Sequence, residues 1–134
     1  MIDLINPTGK GIRSDSAGDG HWQARRGSRL HKGIDLLCTP GQDIVAPIKG
    51  FIIRVAFPYA DDISWKGIVI AGDWCRIKMY YLEPFVGIGK EVYCGESIGK
   101  AQNISLRYGG DMRPHIHLEF EEIIPNPELF MEVS

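Results

Sequence analysis

Short runs in which apolar and polar residues alternate occupy the chain from Asp43 to Phe120. They are rich in the β-branched and aromatic residues that favour strands, and their sequences are IVAPIKGFIIRVAF, GIVI, CRIKMYYL, SIGKA and IHLEF. Residues typical of turns separate these runs, namely Pro40-Gly41, Ala71-Gly72-Asp73, Pro84 and Gly95. Helix caps with a sustained 3.6-residue period are missing, apart from one short turn between Pro125 and Met131. The pattern predicts an all-β fold, as a small antiparallel sheet, sandwich or barrel-like domain.

Two segments inside this β region are similar to each other. GQDIVAPIKG begins at Gly41 and GKEVYCGESIG begins at Gly89, and both place an aliphatic residue and a glycine at matching distances. The similarity predicts two related β-hairpins that pack together.

The first thirty residues lack the alternation and are rich in Gly, Ser, Asp and Arg. They predict an irregular N-terminal arm with turns at its glycines. We therefore divide the chain into an arm (1–28), a core (29–120) and a C-terminal tail (121–134). A chain of 134 residues can bury roughly two thirds of its unfolded surface in one core, so we expect a single domain over residues 1–134.

Composition and charge restrict the class of function. A hydrophobic content of 44% with 24% charged residues is typical of globular proteins. The formal net charge is -2 and the sequence has no basic run, so we expect no nucleic-acid partner. The sequence has neither a secretory signal pattern nor an apolar run of membrane-spanning length, so we expect no membrane partner either.

The three cysteines do not form a metal-binding pattern. Cys38, Cys75 and Cys94 are an odd number and lack CxxC spacing. They are interpreted as three half-buried thiols, or as one disulfide with one free thiol.

Two short segments hold three of the four histidines of the chain. In RPHIHLEF the period of a strand places His115, His117 and Glu119 on one face and apolar residues on the other. In RLHKGIDLLC an even spacing lets His31 and Asp35 point together. Two imidazoles and one carboxylate make a catalytic type of zinc site with one position left for water, although either motif alone also occurs on solvent-exposed strands.

The order and spacing of these motifs resemble the lysostaphin-type (LytM-type) zinc metallopeptidases. The resemblance rests on HKGID, TPGQDIVAPIKGFI, GKEVYCGESIGKA and RPHIHLEF, and it extends from about Gly20 to Phe120. It implies that His31, Asp35 and His117 bind Zn²⁺ and that His115 acts on the water. It also implies a small β-domain whose antiparallel sheet forms the floor of a narrow groove, with peptidoglycan peptide as the substrate.

One position departs from the pattern of the family. The family usually has a second catalytic histidine in a segment like LYAHL, and here Tyr81 stands in its place in MYYL. Chemotaxin-like members share this tyrosine, and resemblance to them implies a zinc-binding protein without peptidase activity. A phenol can instead donate a hydrogen bond to an oxyanion, or it can simply pack. Strand alternation places Tyr81 with Cys75 and Met79, on the side that faces the interior.

Further residues have two interpretations each. Glu119 either orients a ligating histidine or faces solvent. Arg26 and Arg29 either meet a substrate carboxylate or are solvated residues of the arm, to which His21 is also assigned. Four aromatic residues either line a peptide groove or belong to the core: Trp22, Tyr59, Trp65 and Tyr108.

The leading prediction is a monomeric zinc-dependent endopeptidase that hydrolyses peptide bonds of bacterial peptidoglycan, with His115 and Tyr81 as catalytic residues. The alternative is a catalytically inactive zinc-binding recognition module of the chemotaxin type. For the enzyme we expect action on the cell wall after release or export, as a phage lysis or tail enzyme or as an exported effector.

Overall fold

A computed structural model of the chain describes residues 4–132 and consists mainly of short strands. The thirteen strands in this range are β1 (Ser14–Asp15), β2 (Gly18–Asp19), β3 (Arg25–Arg26), β4 (Arg29–Leu30), β5 (Ile34–Leu37), β6 (Asp43–Val45), β7 (Gly50–Ala56), β8 (Gly67–Ala71), β9 (Cys75–Tyr80), β10 (Leu82–Pro84), β11 (Glu91–Val92), β12 (Ser97–Ala101) and β13 (His115–Ile123). A one-turn helix, α1, spans Ser105–Tyr108, and a 3-10 helix spans Pro127–Phe130. The 3-10 helix lies where the sequence predicts a turn, whereas α1 is too short to have a sequence period.

Two antiparallel sheets form the body of the fold. The larger sheet has the strand order β11-β7-β8-β9-β13-β5, and the smaller has the order β10-β12-β6. Side chains of both sheets form one core, whose largest fully buried members are Ile44, Ile52, Ile68, Ile70, Ile77, Met79, Leu82, Val92, Ile98 and Ile116. The large sheet stays open, with β11 and β5 at its edges, so it is no barrel. The all-β antiparallel prediction is confirmed.

The two similar segments pack together, and the strands of each segment pair with strands of the other segment. β6 lies in the first segment and β7 begins at its last residue, Gly50, while β11 lies in the second segment and β12 begins within it. β6 pairs with β12, and β7 pairs with β11. Each segment therefore hydrogen-bonds to the other segment, whereas the sequence predicts pairing within two separate hairpins.

The N-terminal arm is hydrogen-bonded along the edge strand β5. The amide of Arg13 donates to the carbonyl of Asp35 (2.8 Å), and the amide of Asp35 donates to the carbonyl of Gly20 (2.9 Å). The amide of Leu37 donates to the carbonyl of Gly11 (2.8 Å). These bonds satisfy backbone groups that an edge strand would otherwise leave unpaired, and they bring the arm to the segment that carries Asp35.

All three cysteines are free thiols. Cys38 and Cys75 are buried in the core and Cys94 is exposed. Burial raises the pKa of the Cys38 and Cys75 thiols to about 11, so both stay protonated. The interpretation as three thiols without a disulfide agrees with the structure, whereas their predicted half-burial is wrong, because two are buried and one is exposed.

In residues 4–132, neither helix has the length and apolar character that crossing a bilayer would require.

Candidate metal centre and groove

Strand register brings the two histidine segments together. β13 lies between β9 and β5, and His117 is directly opposite Asp35 on β5 and Tyr80 on β9. Along β13 and β9 the apolar side chains alternate into the core, so the polar ones share the outer face. His31, which precedes β5, is buried beside them.

Three side-chain atoms of this face form a nearly equilateral triangle. Nε2 of His31 lies 3.1 Å from Nδ1 of His117 and 3.2 Å from Oδ1 of Asp35. The same Oδ1 lies 3.1 Å from Nδ1 of His117. Two segments that are more than eighty residues apart in sequence thus place three potential ligand atoms around one point.

The partners of the two rings determine which nitrogens are available to a cation. Nδ1 of His31 lies 3.0 Å from the carbonyl oxygen of His21, so this nitrogen carries the proton in the neutral ring. Nε2 of His117 lies 2.9 Å from Oε1 of Glu119 and donates to it. Such partners fix the tautomer of ligating histidines. When both rings are neutral, the triangle therefore consists of two bare nitrogen lone pairs and a carboxylate oxygen.

This donor set fits zinc. Tetrahedral zinc has bonds of about 2.0–2.2 Å to nitrogen and oxygen, which separates ligand atoms by about 3.3–3.5 Å. The sides of the triangle are within about 0.3 Å of that range. Catalytic zinc sites have three protein ligands, whereas structural zinc sites have four. Two imidazoles and one carboxylate therefore match the catalytic type. The group that could hold the metal is His31, Asp35 and His117.

The electrostatics of the site favour a positive charge at this point. Burial by itself raises the pKa of Asp35, but its hydrogen bond with His117 and the charges of the surrounding histidines hold that pKa below its ordinary value. Burial by itself lowers the pKa of His117, but its hydrogen bonds to Asp35 and Glu119 raise that pKa above its ordinary value. Both shifts reflect the negative charge of the carboxylates around His117, which favours a positive charge at this point. A proton on His117 meets that preference, and a metal ion would have to displace this proton in order to bind.

The second oxygen of Asp35 binds a buried arginine that the sequence did not identify. Nε and Nη2 of Arg13 both lie 3.3 Å from Oδ2 of Asp35. Nη1 of Arg13 lies 2.8 Å from Oδ1 of Asp15, whose other oxygen accepts from the amide of Arg113. Arg13 is only 3% exposed. Arg13 and Asp15 look like ordinary arm residues in the sequence, and no local pattern marks them.

His115 lies beside the triangle and is not part of it. Nδ1 of His115 donates to the carbonyl oxygen of Arg113 (2.8 Å), so Nε2 carries the free lone pair. This Nε2 lies 3.6 Å from Oδ2 of Asp35. Burial lowers the pKa of His115 below its ordinary value, although the charge of Asp35 opposes that shift. A neutral ring with a bare nitrogen can accept a proton at neutral pH.

Tyr81 lies in the groove and not in the interior, so the prediction from strand alternation is wrong at this residue. β9 ends at Tyr80, and Tyr81 has a φ of 75°, which breaks the pleat. Its ring is edge-on to the ring of His115, with 5.5 Å between centroids, while Leu82 takes the core position. A left-handed conformation in a bulky residue costs on the order of 1–3 kcal/mol and often marks a functional site.

A chain of phenols continues from Tyr81 along one wall. The hydroxyl of Tyr59 lies 3.1 Å from that of Tyr81 and also hydrogen-bonds to the hydroxyl of Tyr108. The guanidinium of Arg107 lies 3.7 Å from the centroid of the Tyr59 ring, which is a cation–π contact. Tyr59 and Tyr108 thus line the groove, whereas Trp22 and Trp65 are not among its lining residues.

The site opens into a cleft of about 650 Å³. Basic side chains and phenols are prominent in its lining. We call Arg25, Arg26, Arg29 and Lys32 the basic wall, and Tyr59, Tyr81 and Tyr108 the phenol wall. A cleft of this size accommodates an extended peptide over a few residues.

Gly33 allows the segment with His31 to approach β13. A Cβ at this position would lie 2.2 Å from the carbonyl oxygen of Leu118 and 3.0 Å from Cε1 of His117. The Gly33→Ala substitution should therefore lower the free energy of unfolding by about 1–3 kcal/mol and weaken zinc binding, as urea unfolding and a zinc titration would measure. At Gly87 an added Cβ would meet nothing within 4 Å, so Gly87→Ala should change stability by less than about 0.5 kcal/mol. Equal effects of the two substitutions would contradict this role of Gly33.

Comparisons with known proteins agree with the architecture. No family model matches the sequence. Leukocyte cell-derived chemotaxin-2 of Bos taurus is 34% identical over 106 residues, which cover 78% of this chain and 69% of the chemotaxin. The catalytic domain of lysostaphin from Staphylococcus simulans has a TM-score of 0.54 at 20% identity, over 87% of this chain and 90% of that domain. A zinc-containing peptidase from Vibrio cholerae has a TM-score of 0.58 at 24% identity, over 85% of this chain and 35% of that peptidase.

Proposed function

The chain belongs to the lysostaphin-type (LytM-type) metallopeptidase family, and from this premise we propose that it is a zinc-dependent endopeptidase of bacterial peptidoglycan. The observation that carries the proposal is the triangle of acceptor atoms from His31, Asp35 and His117, with sides of 3.1–3.2 Å. We assign these three residues as the zinc ligands. Nitrogen and carboxylate donors in this number suit zinc better than calcium or magnesium, which prefer six or more oxygen ligands.

Zinc in a site of three protein ligands supplies a Lewis acid that acidifies water and polarises a carbonyl group. His115 is proposed to accept the proton of the attacking water on Nε2 and to return it to the leaving amine. Its hydrogen bond to the carbonyl oxygen of Arg113 keeps Nε2 unprotonated before the reaction, and its lowered pKa keeps the ring neutral. A neutral imidazole beside the scissile bond is a suitable general base.

Tyr81 is proposed to donate a hydrogen bond to the substrate carbonyl oxygen as negative charge develops there. Burial raises the pKa of Tyr81 to about 12, so the phenol keeps its proton. When Tyr59 donates to the oxygen of Tyr81 across their 3.1 Å contact, the O–H of Tyr81 is free to point at the substrate. Hydrogen bonds aligned in such a chain strengthen one another.

The proposal is tested by turbidity of purified peptidoglycan. Zinc-loaded protein should lower the turbidity and release soluble peptide fragments, and a chelator should stop both processes until zinc is restored, because the metal supplies the Lewis acid. The released fragments should carry new amino groups, which a ninhydrin-type assay counts. An unchanged turbidity without new amino groups would contradict the enzyme.

The Tyr81→Phe substitution tests the phenol. Removal of one oxyanion donor typically lowers kcat by about 10²–10³-fold, and we expect a decrease at the lower end because a zinc ion held by His31, Asp35 and His117 would also polarise the carbonyl. The ring remains, so zinc affinity should not change. Tyr93→Phe is a control, since Tyr93 is an exposed residue that packs with Lys49. Unchanged turnover in Tyr81→Phe would remove the phenol from the mechanism.

The alternative is a zinc-binding recognition module that does not cleave its ligand. Tyr81 in place of a second catalytic histidine favours it, as does the 34% identity to a protein named as a chemotaxin. Zinc binding and retention of the protein on peptidoglycan, without release of fragments, would be its signature.

Peptidoglycan lies outside the cytoplasmic membrane. We therefore expect the enzyme to act after release or export, as phage lysis or tail enzymes and exported effectors do. A monomer suffices for the proposed chemistry, because every residue in it comes from one chain.

A further inference from the structure

A short hairpin of arginines forms one wall of the groove. β3 and β4 pair so that Arg26 lies directly opposite Arg29, and the turn between them contains Gly27 with a φ of 65°. No acidic residue occurs from residue 20 to residue 34. Like charges directly opposite each other destabilise a strand pair, so an anion that binds this wall would relieve the repulsion.

The hairpin is attached directly to His31. The amide of Gln23 donates to the carbonyl oxygen of His31 (2.9 Å), and the amide of His31 donates to the carbonyl oxygen of Ala24 (2.8 Å). The pairing of the hairpin therefore continues to the candidate metal ligand. These backbone hydrogen bonds hold the arginines of the hairpin at a defined position relative to His31.

Only one of the three arginines is already engaged inside the protein. Nη2 of Arg26 donates to the carbonyl oxygen of Asp19 (2.7 Å) and lies 3.6 Å from Oδ2 of Asp35. Arg25 and Arg29 are exposed side chains that line the cleft. Within residues 4–132 neither of them forms an ion pair, so both guanidinium groups are available to a ligand.

The charge of the cleft is opposite to that of the whole chain. The chain has a formal net charge of -2, yet the cleft is lined by five basic side chains and two carboxylates, the basic ones being Arg13, Arg25, Arg26, Arg29 and Lys32. Both carboxylates, Asp35 and Glu119, already contact His117. The free charge of the cleft is therefore positive.

We propose that Arg25 and Arg29, which alternate to the two faces of the hairpin but both line the cleft, each bind a free carboxylate of the peptide substrate, and that the site therefore prefers acidic peptides to their amidated counterparts. Guanidinium groups suit this task because they bind carboxylates through paired hydrogen bonds. The peptide then lies between the arginine hairpin and the phenol wall. The cleavage part of this inference rests on the proposed function, whereas the binding preference does not.

The experiment compares one peptidoglycan stem-peptide fragment in two forms, with its side-chain carboxylates free and with the same groups amidated. Affinity of zinc-loaded protein for each fluorescently labelled form is measured by fluorescence polarisation, and cleavage of each is followed by chromatography. We expect the free form to bind at least about tenfold more tightly, because its carboxylates can form charge-assisted hydrogen bonds with the guanidinium groups. The preference should weaken with salt, because both arginines are exposed.

The Arg25→Gln/Arg29→Gln variant should lose the preference and bind both forms with the weaker affinity. The control is Arg54→Gln/Arg76→Gln, which removes the same charge from arginines outside the cleft that pair with Glu121 and Glu122. It should keep the preference. Equal affinities of the wild type for the two forms, absent binding of both, or a preference that survives in Arg25→Gln/Arg29→Gln would each overturn the inference. Preferential binding of the free form without cleavage would overturn the proposed enzyme and support this inference.

Discussion

Replacing His31 with alanine should lower the affinity for zinc by more than about 100-fold, because partners that only orient a ligand are already worth about 10–100-fold. The substitution removes Nε2, which is one of three atoms in the triangle and lies 3.1 Å from Nδ1 of His117. Two protein ligands then remain, and a catalytic zinc site requires three. Affinity is measured by competition with a chromophoric chelator, and stoichiometry by metal analysis after dialysis.

His21→Ala provides the matched control for this substitution. His21 contacts His31 through its backbone carbonyl oxygen, which the substitution retains. Its own ring is exposed and pairs with Asp19. His21→Ala should therefore bind one zinc ion with nearly unchanged affinity. One zinc ion per chain held equally tightly by His31→Ala would show that the triangle is not the zinc site.

Replacing Arg13 with methionine should lower the free energy of unfolding of the zinc-free protein by about 3–5 kcal/mol. Methionine keeps much of the volume but removes the charge between Asp15 and Asp35, whose side chains are each 6% exposed. Removing one partner of a buried ion pair is costly because it leaves an uncompensated charge in the interior. Urea unfolding followed by circular dichroism measures the change, with zinc removed beforehand so that metal binding does not contribute.

Arg54→Met is the control for the effect of position. Arg54 forms its ion pair with Glu121 at the surface, where the arginine side chain is 45% exposed. Exposed pairs contribute about 0–1 kcal/mol, so this substitution should be nearly neutral. Similar losses of stability in the two variants would show that the buried ion pairs of Arg13 contribute no more to stability than an exposed pair.

The alternation on β13 could be predicted correctly from the sequence. His115 and His117 share one face and Ile116 and Leu118 share the other, because neighbouring side chains of a strand point to opposite sides. The same rule fails at Tyr81, where the backbone turns to positive φ. The carbonyl oxygen of Lys66 accepts hydrogen bonds from the amides of both Tyr81 (2.7 Å) and Leu82 (3.1 Å). A partner fifteen residues earlier in the chain thus holds the turn, and no local pattern contains that information.

The observed strand pairing of the two similar segments differs from the predicted pairing for a related reason. Their strands were predictable from composition, since each has β-branched residues between turn glycines. Their pairing was not, because pairing within one segment and pairing between two segments satisfy the same backbone groups locally.

The all-β class, the face shared by the polar residues of β13, and the kinds of side chain available to a metal can all be read from the sequence alone. These depend on neighbouring residues and on chemical type. Glu119 beside His117 was also among the sequence alternatives, because the two residues lie on one face of the same strand. Three other features appear only in the folded chain: the carbonyl oxygen of His21 on the His31 ring, the burial of Arg13 against Asp35, and the position of Tyr81 beside His115. Each of these three contacts joins residues ten or more positions apart, and its energy depends on distance and burial, which no local period encodes.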